Sequence, residues 1–333
     1  MIKSFHNQIL LEAMSPIAHH SSVDGNHANL NRQLMRLADG SFGRVPTITP
    51  DTMRNLLRRL SSAFLLQACG IGEGQLTQSA LRLLFNGGTL TGKGDASVIR
   101  IDQFRELERI VPTLSLLGGC VNSMMIPGRL EVETAILVCD ETRHIVPQWA
   151  TDHVGIVTQA RIPSYREQTD EVMRVRMDSL NNPQMSRYLT DGERKLLGER
   201  LDAREKAHDK GDDKGAAEAK SSMMPRTMEV ICQGSYFSWE VTGRFHSDIE
   251  EAAWKTTLCL LRTPEARVGG KKGTGHGRIR IEKVNDVIVP RGPQAVEEMR
   301  LSALDSAAEA KMYVKHLEEN AAKIREFLTK VDA

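Results

Sequence analysis

Apolar residues recur at two different periods along this chain, and the changes of period mark its elements. Residues 5–13 (FHNQILLEA) alternate as a strand. From Thr49 the pattern turns helical. Thr49 fits an N-cap, Pro50 the first helical position, and Asp51 the positive helix end. Behind them Met53, Leu56, Leu57, Leu60 and Phe64 form one apolar stripe at 3-4 spacing. Residues 129–139 (RLEVETAILVC) alternate again. MEVICQGSYFSWEVTGRF reads as two strands around Gln233-Gly234-Ser235, with Phe237, Trp239 and Val241 on one inward face. Ser247 and Asp248 cap a helix, DIEEAAWKTTLCLLR. The strands RIRIEKV and DVIVP follow, and one or two helices run from Pro293, with Val314, Leu317, Ala321, Ile324, Leu328 and Val331 as a seam.

Between these elements the pattern lapses. SPIAHHSSVDGN and ADGSFGRVPTIT have no periodicity and read as loops. Residues 67–111 read as an insertion of two short helices (QLTQSALRLLF and DQFRELERI) around the turn-rich NGGTLTGKGD. LSLLGGCVNSMMIPG is irregular. Residues 145–227 hold a Pro-punctuated segment, a polar helix near DGERKLLGERLDAREKAH, and the low-apolar tip KGDDKGAAEAKSS.

Without the insertions the order is strand, helix, strand, strand, helix, strand. That is the split β-α-β, ferredoxin-like arrangement of the α+β class, also used by RNA-recognition folds. Six segments result: the strand-and-helix core at 1–66, 112–145 and 228–292, insertions at 67–111 and 146–227, and a C-terminal helical segment at 293–333.

Composition narrows the function classes. The chain of 333 residues is 40% apolar and 26% charged, ordinary for a globular protein. No apolar run is long enough for a membrane-spanning helix, and Glu12 breaks the only early apolar run, so neither a membrane partner nor a signal peptide is expected. The five cysteines are scattered without a C-x-x-C pair, which argues against a disulfide framework or a zinc site and for a cytoplasmic location. The net charge is only +1, but the basic residues cluster. Residues 1–60 carry seven basic and four acidic residues, residues 262–283 seven and two, and residues 294–333 six and eight.

The densest local signal is Gly269-Gly270-Lys271-Lys272-Gly273-Thr274-Gly275-His276-Gly277-Arg278. Its glycines let the backbone approach a ligand closely, and its cations supply counter-charge, as a phosphate backbone requires. Arg54, Arg58 and Arg59 lie on the first long helix with only Asp51 as an acidic neighbour, a second candidate phosphate contact. His19 and His20 are candidate positioning groups near a ligand groove. Gly87-x-x-x-x-Gly92-Lys93 nearly matches a nucleotide-binding loop, but Gly94 stands where Ser or Thr should hold magnesium and a helical segment precedes it. Met124-Met125 and Met223-Met224 lie in irregular stretches, where methionine either packs or wedges between bases.

Taken in order, SPIAHH, PTITPDTMRNLLRR, LLFNGGTLTG, MPRTMEVICQGSYFSWEV and GGKKGTGHGRIRI resemble the repeat-associated mysterious protein (RAMP) superfamily. The resemblance is greatest to the backbone subunit of multi-subunit CRISPR effector complexes, in its type IV version, with type I next. It implies an RNA-recognition-like palm at 1–66, 112–145 and 228–292, fingers at 67–111, and a thumb at 146–227, with its end near Met223–Arg226, that interrupts the guide at intervals; Met224 and Arg226 would meet the RNA. It also implies that Arg54, Arg58, Arg59 and the glycine loop hold the guide RNA backbone, with Gly118 and Gly119 near the groove. Copies of the chain would stack into a filament, beside other effector-complex subunits and a target nucleic acid paired to the guide. No cofactor is implied.

Cleaving members of the superfamily use an aspartate after the first strand. Here that segment reads Asn26-His27-Ala28-Asn29-Leu30-Asn31-Arg32, so no RNA cleavage is expected. Two other readings stay open. One is a metal-dependent endoribonuclease of the same superfamily working through Asp24 or His20. The other is a nucleotide-binding protein working through Gly87–Lys93.

Overall fold

The computed structural model describes residues 2–88, 101–121, 124–159, 161–176, 190–196, 198–199, 224–285, 287–288 and 308–330. In chain order the elements begin with β1 (Lys3–Ala13), β2 (His20–Asp24), β3 (His27–Leu30), β4 (Arg32–Arg36) and β5 (Phe42–Ile48). Four helices follow: α1 (Pro50–Ala68), α2 (Gln78–Asn86), α3 (Ile101–Ile110) and α4 (Pro112–Leu117). Next come β6 (Gly119–Val121), β7 (Met124–Ile126), β8 (Leu130–Val132), β9 (Ala135–Leu137) and α5 (Gln148–Val157). The rest are β10 (Thr169–Arg176), β11 (Met224–Ile231), β12 (Tyr236–Phe245), α6 (Asp248–Leu260), β13 (Ile279–Val284), β14 (Val287–Ile288) and α7 (Ala308–Lys330).

Two compact units divide the chain. The first comprises residues 1–19, 31–170 and 230–333, and the second residues 20–30 and 171–229. The first is built on an antiparallel sheet ordered β14-β13-β1-β12-β9-β5-β4, with β8 also pairing β12. β1 lies between β12 (Ile9 opposite Trp239) and β13 (Leu11 opposite Ile281). Its odd residues face one side with Phe237, Trp239 and Val241. On that side Phe5 stacks on Phe245 at 4.4 Å and meets Trp254 of α6 at 5.6 Å, and the Trp254 indole N–H donates to Asn7 at 2.9 Å. These aromatics are core, where a period of two in a half-buried strand places them.

The helices start where their capping residues stand. The Thr49 hydroxyl accepts the Thr52 N–H, Pro50 opens α1, and Met53, Leu56, Leu57, Leu60 and Leu65 are buried. Ser247 caps α6 by accepting the Glu250 N–H, and Thr77 caps α2. The Glu250 carboxylate accepts the His246 N–H at 2.7 Å and the Ser115 hydroxyl at 2.8 Å. It also meets the Arg129 guanidinium, which pairs with Glu108 as well. The α7 seam closes on its own unit: Tyr313, Leu317, Ile324 and Leu328 are buried, and Tyr313 stacks on Phe64 at 6.1 Å.

On the other side of the sheet Leu10, Val138 and Tyr236 pack with Val146, Ala150 and Val154. The last two belong to α5, so this helix, inside the segment expected as thumb, covers the sheet of the first unit. Trp149 of α5 donates to Gln8 at 3.3 Å.

The two stretches expected as loops are largely strands. SPIAHHSSVDGN and the residues after it give the hairpin β2–β3, and ADGSFGRVPTIT supplies β5, paired with β4 from Arg32 opposite Pro46 to Arg36 opposite Phe42. Their side chains alternate too weakly in hydrophobicity to reveal a strand, because β2 and β4 are mostly exposed. The second unit is the sheet β10-β11-β3-β2, in which β11 runs parallel to β3. Residues 191–196 are helical, while the tip KGDDKGAAEAKSS lies outside the described residues.

Candidate nucleic-acid interface

The glycine-rich loop is fixed at both ends by backbone hydrogen bonds to the segment that leaves β1. The Gly270 N–H donates to Ala18 at 2.7 Å, Gly277 to Pro16 at 2.8 Å, and Met14 to Arg278 at 2.8 Å. The Ser15 hydroxyl accepts the Arg278 N–H at 2.9 Å. Two glycines make this closeness possible. A Cβ on Gly269 would stand 2.5 Å from the Ala18 carbonyl oxygen, and one on Gly277 1.9 Å from that of Val268. Both have positive φ, +70° and +82°, which a side chain would strain. Lys272–Thr274 then form a single 3-10 turn with Lys271, Gly273, Thr274 and Gly275 exposed.

The cations around this loop crowd one another. From α1, Arg59 donates to the carbonyls of Arg267, at 2.9 Å, and Glu265, at 3.4 Å. Arg267 donates to the Lys272 carbonyl at 3.3 Å. Lys272 is half-buried, and that desolvation, with the Arg59 charge beside it, pushes its ammonium down to about 8. Arg59 is lowered as well, by burial. Positive charge that is partly stripped of water and set beside a like charge is relieved by an anion.

His19 and His276 hold this arrangement in place. His19 Nε2 accepts the Thr49 N–H at 3.3 Å, tying the exit of β1 to the cap of α1. His276 is buried, with Nδ1 3.1 Å from the Thr274 carbonyl oxygen, so its ring underlies the loop.

Arg54 and Arg58 form a different cluster. Arg54 donates to Leu117 at 3.1 Å and Leu130 at 2.9 Å; Arg58 donates to Leu117 and Gly118, both at 3.0 Å. They satisfy the carbonyls that end α4, a role for which cations at a helix C-terminus are suited. Burial, with Arg54 second, lowers Arg58. The 3-4 spacing of the arginines was legible, but not that all three meet backbone carbonyls. Gly118 stands within this cluster, and Gly119 opens β6 beside it.

The nucleotide-loop motif divides. Gly87 is the left-handed C-cap of α2, and a Cβ on Gly88 would stand 2.0 Å from the Cys120 carbonyl oxygen. Helix termination and close packing account for both; Gly92 and Lys93 lie outside the described residues.

In the second unit the His20 Nε2–H donates to the Glu229 carbonyl at 2.8 Å, and the Glu229 carboxylate accepts the Leu30 N–H at 2.8 Å. His27 pairs with Glu171 at 3.0 Å. Asp24 ends β2 opposite His27, and Arg226 is exposed on β11, two residues after Met224. Among the described residues no group of three or more His, Cys, Asp or Glu side chains gathers as a metal site, and no helix is long and apolar enough to cross a membrane.

Sequence reasoning missed Arg267, Ser15 and the carbonyls of Pro16 and Ala18. Arg267 lay within the basic run 262–283, which was its only signal. The backbone partners had none.

No family model and no curated protein matches this chain. Among solved structures, a chain of a type IV-B CRISPR complex is similar over 87% of this chain and 94% of its own length, with 15% sequence identity and a TM-score of 0.48.

Proposed function

We propose that this chain is a non-catalytic RNA-binding backbone subunit of a type IV-like CRISPR effector complex. It oligomerises along the guide RNA and presents it for pairing with a target. The observation that carries the reading is the half-buried Lys272 beside Arg59, in a glycine loop fixed to β1 and served by Arg267. A site built from point charges on a fixed glycine loop binds phosphate and ignores base identity, as a variable guide demands.

Two further features support it. The palm is ferredoxin-like: its principal strands, β1, β9, β12 and β13, stand in the order β13-β1-β12-β9, with α1 and α6 as the two connecting helices. The motifs that resemble the RAMP superfamily supply this loop, the β1 exit and the start of α1. The role without chemistry rests on Asn29 and Asn31. Asn29 Nδ2 donates to the Ser22 hydroxyl and Asn31 Nδ2 to the Thr47 hydroxyl, at 3.4 and 3.0 Å, and neither amide can serve as a catalytic acid.

The test is purification of the chain co-expressed with a guide array. A large particle carrying RNA of uniform length is the expected result. A small, RNA-free particle even with its partner subunits present would refute it.

A further inference from the structure

The hairpin β4–β5 was not foreseen and has no part in the reading above. Its cross-strand pairs set its two faces: Arg32 opposite Pro46, Leu34 opposite Arg44, and Arg36 opposite Phe42. Directly paired residues point to the same side, so Arg32, Leu34, Arg36, Phe42 and Arg44 share one face. The other face carries Met35, Gly43 and, beyond the strand, Leu37, all half-buried. The Ala38 N–H ties the turn to the Glu141 carbonyl at 2.9 Å.

The first face is open. Phe42 is 71% exposed and Leu34 58%, with Arg36 and Arg44 exposed between them. Neither of these two arginines pairs with a carboxylate among the described residues. Asp39 sits in the turn, where its carboxylate accepts both the N–H and the hydroxyl of Ser41, and the Glu141 carboxylate accepts the Tyr165 N–H. An exposed phenyl ring flanked by guanidiniums on a strand is the arrangement that stacks a base and holds its phosphates.

The hairpin also begins at the anchor of the glycine loop. Ala18 accepts the Gly270 N–H at 2.7 Å, His19 accepts the Asn31 N–H at 2.7 Å, and Arg32 is the next residue. From Arg32 to Arg36 the strand runs about 14 Å, the reach of a few nucleotides.

We infer that the Leu34–Phe42 face of this hairpin is a second contact for the RNA strand held by the glycine loop, with a base stacked on Phe42 and phosphates on Arg36 and Arg44. The inference rests on the RNA-binding reading of that loop and extends the footprint by this stretch of strand. Charge decides the occupant, because the exposed Arg36 and Arg44 on one face favour a polyanion over a second copy of a chain whose net charge is +1.

The experiment measures fluorescence anisotropy of labelled single-stranded RNA, in a short and a long form, with the full chain and four variants. Phe42→Ala weakens the long RNA about tenfold, the factor of one stacked base, and leaves the short one unchanged. Phe42→Trp retains binding, whereas Phe42→Leu, equally apolar but unable to stack, does not. Lys271→Ala with Lys272→Ala weakens both RNAs. Circular dichroism checks that each variant is folded, which exposure of Phe42 makes the expected result.

If the lysine pair loses binding while Phe42→Ala and Phe42→Leu both keep it, the hairpin inference fails and the loop reading stands. If the lysine pair keeps full binding, the loop reading fails, and the hairpin inference with it. A change in particle mass without a change in RNA affinity in Phe42→Ala would make the face a contact between copies and would also overturn the inference.

Discussion

Lys272 gives the proposed site a pH signature. Its ammonium is half-buried beside Arg59, and it gives up its proton at about 8, below the ordinary lysine range. Phosphate binding favours the charged form. Below pH 8 the proton is already present and affinity is flat; above it, binding must import one. Between pH 7 and pH 9 the protonated fraction falls about tenfold, so the affinity for RNA falls by about the same factor. Stability moves the other way. Between about pH 8 and the unfolded-lysine range the unfolded chain binds the extra proton, so this residue makes folding more favourable as pH rises.

The assay is anisotropy of a labelled oligoadenylate, whose bases do not titrate in this range, at fixed ionic strength. Lys272→Arg keeps the charge at every pH and flattens the curve, because a guanidinium does not deprotonate there. The same tenfold fall in Lys272→Arg, or a flat curve in the unmodified chain, would refute the assignment.

Four further outcomes follow from the structure. Lys271→Ala with Lys272→Ala weakens RNA about equally for unrelated spacers, and the slope of log affinity against log salt is shallower by about 1.4, as two lost contacts to a single strand require; strong dependence on spacer sequence would count against backbone recognition. Gly277→Ala forces a side chain towards the Val268 carbonyl at a φ of +82° and costs about 1–3 kcal/mol from backbone strain alone, measurable by urea unfolding. Arg129→Ala leaves Glu250 buried without its cation and costs about 3–5 kcal/mol in the same measurement. Arg54→Ala with Arg58→Ala strips the carbonyls of Leu117 and Gly118 of charged donors, so thermal unfolding moves down by several degrees.

The parts of the fold that were legible are those whose side chains alternate between oil and water. β1, β12, β13, α1 and α6 each show a full period, with caps at Thr49 and Ser247 that stand where they were read. The hairpins β2–β3 and β4–β5 were not, because Val23, Leu34 and Phe42 are exposed apolar residues and the polar ones beside them are exposed too. The density of glycine and lysine at 269–278 exposed the loop. Its cradle is made of carbonyls from Pro16 and Ala18, which any sequence would supply. The burial of His276 follows from the close approach that the flanking glycines permit.

β1 has both of its neighbours far along the chain: Lys3 pairs with Phe245 on one edge and Ile9 with Val284 on the other. During synthesis this strand leaves the ribosome well ahead of both partners and stays unpaired until Tyr236–Val284 has followed. Non-local pairing of this kind is slow, and an apolar strand with two open edges is prone to aggregate while it waits. Truncations ending before Tyr236 therefore leave a permanently unpaired strand and yield insoluble protein, so a shortened expression product must keep Tyr236–Val284.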